Sequence, residues 1–320
     1  MRGKDRLDSD IENVYKADVK IYGIEYVFRK ILGKGAYGTT FLVEKDGKLI
    51  AIKELIIDDE VNEININQNI NINKKSKRNL IENEIDILKT ISQPCHPFLV
   101  CYLDTNVYNN TIFIEMEYID GINIWKFFDI LRGDRNFYKY TLAALKDLSS
   151  ALEYLHEKNI LHRDIKPDNI LITGKYYEIC PKLIDVGLSC MIHEICKVEL
   201  FSENKDVGEL KEFEVKEVKC CKDTVGSPLW SAPETLLLGI NLTYSDMFSL
   251  AATFYTFIED GYLYPTYFKK VEQIKKFMNY EEYPKLNTTS ETLNLIVNRL
   301  LEKDALNRLS AQEVLSILKR

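Results

Sequence analysis

No stretch of this sequence is apolar for long enough to cross a bilayer. The longest apolar run, about Met247 to Ile258, has the length of a buried helix. No apolar segment follows the charged start Met1-Arg2-Gly3-Lys4-Asp5-Arg6, which argues against a secretory signal. Positive charge is not in surplus. A net charge of -7 argues against a protein that coats nucleic acid, although it leaves room for a local basic pocket. Histidine is scarce, and the four present form no catalytic pattern of their own. The seven cysteines are odd in number and scattered, which fits a reducing compartment better than a disulfide scaffold. These absences point to an intracellular chain without membrane insertion, in the cytoplasm first, with the nucleus left open.

What remains is a chain of 320 residues, enough for one large domain or two lobes. Residues 1–24 read as a charged extension. From Tyr26 to Lys53 short β-like runs alternate with Gly-containing turns. Residues 60–74 alternate Ile with Asn. Strict alternation reads as a strand, while the compositional bias reads as an Asn-rich surface insertion, the preferred reading. Leu80, Ile81, Ile85, Leu88 and Ile91 predict a helix from about Ser76 to Ile91. After Ile122 the chain turns helical, and Leu142, Leu145, Leu148, Leu152 and Leu155 form an apolar stripe that reads as core. A small β-rich part followed by a large helical part predicts an α+β chain of two lobes with a cleft between them.

Several motifs lie on this frame. Gly33-Lys34-Gly35-Ala36-Tyr37-Gly38 sits between two predicted strands, because Thr39-Thr40-Phe41-Leu42-Val43 continues as a strand. A Gly-rich hairpin of this kind brings backbone N–H groups close to phosphate oxygens, whereas the dinucleotide fold would need a helix next. Ile50-Ala51-Ile52-Lys53 follows on the next strand. Further on come His162-Arg163-Asp164-Ile165-Lys166-Pro167-Asp168-Asn169, then Leu183-Ile184-Asp185-Val186-Gly187, then Val225-Gly226-Ser227-Pro228-Leu229-Trp230-Ser231-Ala232-Pro233-Glu234.

In this order the motifs resemble those of eukaryotic protein kinases over about residues 25–320, and Lys166, two places after Asp164, looks like the serine/threonine branch. The resemblance implies a β-rich N-lobe over 25–116, a hinge over 117–120 and a helical C-lobe over 121–320, with ATP and Mg²⁺ as cofactors. It makes Asp164, Lys166, Lys53, Asn169 and Asp185 the catalytic set. Asp164 would hold the hydroxyl proton, Lys166 would balance phosphate charge, and Asn169 and Asp185 would hold the metal. Nucleotide would meet Leu32, Gly33, Lys34, Gly35, Gly38, Thr40, Ala51, Lys53, Glu84, Met116, Glu117, Ile119 and Leu171. Met116 is the implied gatekeeper, and Glu117 and Ile119 offer backbone groups to adenine. Glu84 is the chosen partner for Lys53, with Glu82 as competitor. Ser227 would bond Asp164 and Lys166, Glu234 would pair with Arg308, and Asp246 would brace the catalytic-loop backbone from below.

The sequence departs from the family in places. Thr40 replaces a Val against adenine, and Val186 replaces the Phe that packs on His162 and the Glu84 helix. The segment 185–234 is long, and its charged middle, about 191–222, reads as a mobile surface insertion. Cys190, His193, Cys196, Cys220 and Cys221 cluster there. They match no standard zinc spacing and read as unrelated thiols, with a metal site as the alternative. Asp223 stands where the family's Arg163 meets a phosphorylated residue, with Thr224 beside it as a phosphosite. Asn123 and Thr256 replace carboxylates that line the family's peptide groove, which predicts weak selection for basic substrates. The expected activity is transfer of the ATP γ-phosphate to Ser or Thr of protein substrates. The rivals are a pseudokinase that signals by shape and a small-molecule kinase; the Gly226–Glu234 loop, which shapes a peptide site, argues against the latter. Oligomeric state is not readable from the sequence.

Overall fold

The computed structural model describes residues 19–21, 24–35, 38–57, 74–108, 110–174, 179–200, 214–265, 270–280 and 283–319. The Asn-rich run up to residue 73, most of the charged N-terminal extension, Ala36 and Tyr37 of the Gly loop, and 201–213 of the charged insertion lie outside the described residues. The chain divides into two compact units. One falls within Met1–Cys95 and Val100–Asp120, the other within His96–Leu99 and Gly121–Arg320.

The first unit is built on strands β1 (Val19–Ile21), β2 (Ile24–Lys34), β3 (Thr39–Lys45), β4 (Lys48–Ile56), β5 (Tyr102–Tyr108) and β6 (Thr111–Glu117) and on helix α1 (Lys74–Ile91). The strands form one antiparallel sheet in the order β1-β2-β3-β4-β6-β5. Asp46 and Gly47, both at positive φ, make the two-residue turn between β3 and β4, the geometry that matches strand twist. Period-two alternation sorts the side chains. Phe41, Val43, Ile50 and Ile52 pack with Tyr26 on one face. Thr40 opposite Lys53, Ala51 opposite Met116, and Ile114 opposite Lys53 share the other. On the first face Glu115 is buried and accepts from Tyr26 Oη (2.5 Å), Lys45 Nζ (2.7 Å) and Asn106 Nδ2 (2.8 Å). Burial and the neighbouring Glu115 push the Tyr26 hydroxyl well above its usual range.

Helix α1 buries Ile81, Ile85, Ile87, Leu88 and Ile91. Leu80, expected on this stripe, is exposed, and Ile87 takes its place in the core. The helical period puts Glu84 between Ile81 and Leu88 on the buried side.

The second unit is mostly helical. Its strands are β7 (Ile122–Asn123), β8 (Ile160–Leu161), β9 (Ile170–Thr173), β10 (Cys180–Leu183), β11 (Cys190–Met191), β12 (Glu194–Leu200), β13 (Glu214–Lys222) and β14 (Ile240–Asn241). Its helices are α2 (Ile124–Leu131), α3 (Phe137–Glu157), α4 (Pro233–Leu238), α5 (Thr243–Ile258), α6 (Val271–Tyr280), α7 (Glu291–Leu300) and α8 (Ala311–Leu318). Along α3, Leu145, Leu148, Leu152 and Leu155 are fully buried, while Leu142 is only partly so. The apolar run in α5 is buried nearly all round, and Asp246 is buried with it. Leu99 reaches this unit through a bridge to Leu183, and Leu183 N–H donates to Phe98 O at 3.0 Å.

The charged insertion is a correction. Its described flanks form an antiparallel ladder, β12 on β13, and β13 continues onto β14. Lys222 pairs with Glu194 at 3.1 Å across it, and Cys196 and Cys220 pack beside Leu242 and Ala305. The mixed Lys and Glu composition masked the alternation that puts Cys196, Val218 and Cys220 on one face. A second correction concerns cysteine. Six of the seven are joined as Cys95–Cys101, Cys190–Cys221 and Cys196–Cys220, and Cys180 is the free thiol. Strand register brings Cys196 and Cys220 together across the β12–β13 ladder. No group of three or more His, Cys, Asp or Glu among the described residues could hold a metal ion.

Asp147 on α3 shows how burial shifts stability. Burial pushes its carboxyl up to about 6, against the opposing pull of Lys146. A carboxyl raised in the fold stabilises below the unfolded value near 4, and that contribution is lost as pH rises through about 6. Asp147→Asn is expected to raise the thermal midpoint by roughly 1–3 °C at pH 7.5, by about half as much near pH 5, and to bring little gain at about pH 4 or below, a small effect because the site is half-exposed. Differential scanning fluorimetry at pH 7.5 and about pH 4 checks it. An equal shift at both would refute the burial explanation.

Candidate active site

Each unit carries its own cluster of the residues singled out in the sequence. In the first unit, Lys53 Nζ donates to Glu84 Oε1 at 2.6 Å, with both side chains largely buried. Glu82, the competitor, is exposed and pairs with Arg78 at 3.0 Å. Helix phase explains the choice: Glu84 lies on the buried side and Glu82 does not. Thr40, Ala51 and Met116 share the sheet face of Lys53, and Gly33 is paired to Thr40. Lys34 pairs with Thr39 at the mouth of the hairpin, and Gly35 N–H donates to Gly38 O at 2.9 Å. A Cβ on Gly38 would lie 1.9 Å from Glu54 O, so only glycine fits there. Leu32 is exposed at the end of the same strand. After β6, Glu117 N–H donates to Cys101 O at 2.9 Å and Ile119 is buried.

In the second unit, the loop between β8 and β9 gathers Asp164, Lys166 and Asn169. Asp164 Oδ2 accepts from Lys166 Nζ (2.8 Å) and Asn169 Nδ2 (3.0 Å), and its Oδ1 accepts from Ser227 Oγ (2.9 Å). Lys166 Nζ also donates to Ser227 Oγ at 2.9 Å. Asn169 Nδ2 reaches Asp164 O as well (2.9 Å), so both amide hydrogens are engaged by Asp164. Ile184 N–H donates to Asn169 O at 3.1 Å, which sets Asp185 beside this turn. Gly187 N–H donates to Asp185 Oδ1 at 3.0 Å and orients that carboxylate. Leu171 lies on β9, paired with Asn123 and Lys182.

The loop backbone is held in an uncommon conformation. Arg163 has φ of 68°, unusual outside glycine. Asp246 accepts from His162 N–H and Arg163 N–H, both at 2.9 Å. Burial alone would raise the Asp246 carboxyl, but the hydrogen bond and charge of His156, 3.1 Å away, hold it below the ordinary carboxylate range. Burial keeps the His162 ring neutral, with its pKa below the usual imidazole range. From the other side Gly226, at φ of 95°, presses on this loop: a Cβ there would lie 2.3 Å from Arg163 O. Arg163 Nε donates to Leu188 O at 2.7 Å. Burial pulls the Arg163 pKa down, and Asp223 and then Asp246 are the negative charges that oppose it.

Glu234 binds Arg308 through two parallel bonds, as expected (2.7 and 2.9 Å). Thr256 is a correction. It is buried on α5 and donates to Ala252 O at 2.9 Å, so its side chain lines no open groove. Asn123 spends its amide on Trp125 N–H and Pro167 O (2.8 and 3.1 Å). Asn241 went unnoticed in the sequence. Its Nδ2 donates to Asp223 O at 2.7 Å and lies 3.4 Å from Cys221 O, and nothing in its sequence setting signals that role.

The family described as protein kinase domain matches residues 26–317. Among curated proteins the chain is similar to mitogen-activated protein kinase kinase kinase 19 of Homo sapiens, with 31% identity over 229 residues, 70% of this chain and 14% of that protein. It is 28% identical over 290 residues to calcium-dependent protein kinase 3 of Plasmodium berghei (strain Anka), 89% of this chain and 44% of that one. It is 25% identical over 300 residues to serine/threonine-protein kinase nekl-2 of Caenorhabditis elegans, 90% of this chain and 72% of that one. The chain thus spans less than half the length of the first two relatives. With the match running from the first sheet through the last helix, and with Asp164 held as described, the chain belongs to the protein kinase family.

Proposed function

We propose that this chain is a catalytically active, ATP-dependent kinase that phosphorylates Ser or Thr hydroxyls of proteins. The observation that carries the reading is the Asp164 carboxylate, which accepts from Lys166 and Ser227 in a buried loop. An acceptor-only carboxylate there receives the hydrogen bond of an incoming hydroxyl and takes its proton late in transfer. Lys166, already neutralised in part by Asp164, is a donor for phosphate oxygens. Lys53 is oriented by Glu84 toward nucleotide phosphates. The Asn169 amide oxygen and the Asp185 carboxylate are hard oxygen donors and suit Mg²⁺, which when bound would neutralise phosphate charge. Catalysis then rests on alignment and charge and needs no covalent intermediate with the protein.

Protein substrates, no nucleic-acid partner and an intracellular site of action belong to this proposal. Among the described residues no helix is long and apolar enough to cross a membrane. Asn123, where the family carries a groove carboxylate, supports weak selection for basic substrates.

A pseudokinase reading draws on two features. Val186 replaces the family's aromatic residue, and the buried His162 Nε2 has no hydrogen-bond partner among the described residues. Incubation with labelled ATP, Mg²⁺ and a generic protein substrate separates the two. Phosphoserine or phosphothreonine on the substrate supports the proposal. Nucleotide binding with no transfer under any condition refutes it.

A further inference from the structure

Two disulfides lie in the segment between Asp185 and Glu234, and they differ in setting. Cys196–Cys220 is fully buried among Leu242, Ala305 and Ile240, with Cα atoms 5.9 Å apart. Cys190–Cys221 spans 6.8 Å between Cα atoms and reaches solvent through the half-buried Cys190. Its two ends sit at places that matter to the catalytic loop. Cys190 pairs with Leu161 on β8, immediately before His162-Arg163-Asp164, and lies two residues after Leu188, whose carbonyl takes Arg163 Nε. Cys221 pairs with Asn241 and lies two residues before Asp223, the first charge that faces Arg163. Asp223 itself is fixed by its backbone: its N–H donates to Gly239 O at 2.9 Å, and its carbonyl accepts from Asn241. Three residues on, Gly226 packs against Arg163 O, and Ser227 bonds Asp164. The bond therefore joins the two strands that bracket Arg163.

We propose that the Cys190–Cys221 disulfide is a covalent strut that positions the catalytic loop from the activation segment, so that phosphotransfer depends on the thiol–disulfide state of this pair. Cys190 and Cys221 are positioning residues in this scheme; they touch neither substrate nor nucleotide. The inference rests on the kinase reading above. Chemically, two equivalents of a small thiol such as glutathione donate two electrons and two protons. The Sγ–Sγ bond breaks, two protein thiols form and the thiol leaves as its disulfide. The half-exposed bond opens first, because thiolate attack needs access to sulfur, while the buried Cys196–Cys220 bond keeps the hairpin in register.

The test titrates purified protein with reduced and oxidised glutathione and follows three readouts. Peptide mass spectrometry without reductant reports which pairs are linked. Steady-state kinetics report kcat and the KM for ATP. Hydrogen exchange reports the amides of 161–164 and 223–227. Opening Cys190–Cys221 with Cys196–Cys220 still linked is expected to lower kcat about tenfold or more, since displacement of a catalytic group by about 1 Å costs that much or more. The KM for ATP should stay within about twofold, and oxidised glutathione should restore kcat. The Cys190→Ser/Cys221→Ser variant should sit at the reduced level and ignore reductant. If that variant fails to fold, wild type reduced and alkylated at these two residues replaces it. Unchanged kcat with the bond shown open overturns the strut, and so does a variant that responds to reductant as wild type does. Protein with no transfer in any redox state refutes the kinase reading alone. The strut is then judged by exchange, which must rise at 161–164 on reduction and otherwise sinks it.

Discussion

Asp164→Asn is expected to lower turnover by roughly 10²–10⁴-fold while leaving the thermal midpoint within a few degrees of wild type. The hydrogen-bond geometry explains why the two effects part company. The Asn oxygen can take the place of Oδ2 and accept from Lys166 and Asn169, and the Asn amide nitrogen can donate to Ser227 Oγ, which is able to accept. The loop backbone is held by Asp246 through His162 and Arg163 N–H, bonds the substitution does not touch. What disappears is the charge. An amide neither accepts a proton from an incoming hydroxyl nor balances Lys166. Nucleotide affinity should change little, because on the proposed reading the ammonium that holds the nucleotide phosphates is Lys53, paired with Glu84. Initial rates and nucleotide titrations on wild type and variant check both halves. Turnover within about threefold of wild type would remove Asp164 from the chemistry.

Much of this site was legible because short motifs carry their own geometry. A helix of known phase is enough to prefer Glu84 to Glu82, and the structure buries the first and exposes the second. The bracing role of Asp246 was implied by the family resemblance, and Asp246 accepts from His162 N–H and Arg163 N–H. Thr256 shows the limit. A position in a motif says where the Cα lies, but a hydroxyl that satisfies itself on the carbonyl four residues back can be buried where a carboxylate could not. The cysteines show another limit. The pairing over a sequence separation of 24 residues depends on how β12 and β13 register, and the one over 31 residues joins β11 of one sheet to β13 of another; composition is silent about both. The same holds for Asn241, whose partners are backbone carbonyls on a neighbouring strand.

Arg308→Ala should cost about 3–5 kcal/mol of stability, the largest loss expected from any single change away from the catalytic loop. Arg308 is 3% exposed, and its five N–H groups are spoken for. Two meet Glu234, and the others reach the carbonyls of Glu302 (2.7 Å), Tyr244 (3.2 Å) and Lys303 (3.1 Å). Its guanidinium also lies over the Phe248 ring, 4.8 Å from the centroid. Truncation leaves the Glu234 carboxylate buried with Ser245 Oγ (2.6 Å) and no cation, and strands three carbonyls at once. Arg308→Lys keeps the charge but loses the fork, so it should fall between wild type and Ala. The decisive measurement is a double-mutant cycle by denaturant unfolding with Glu234→Gln, Arg308→Met and the pair. If the loss comes from an orphaned charge, the pair should cost less than the sum of the singles by about 1–3 kcal/mol. Additive costs would mean that Arg308 acts through packing on Phe248 and the three carbonyls, and the ion pair would then not be what anchors Glu234 at the end of the Ser227 loop.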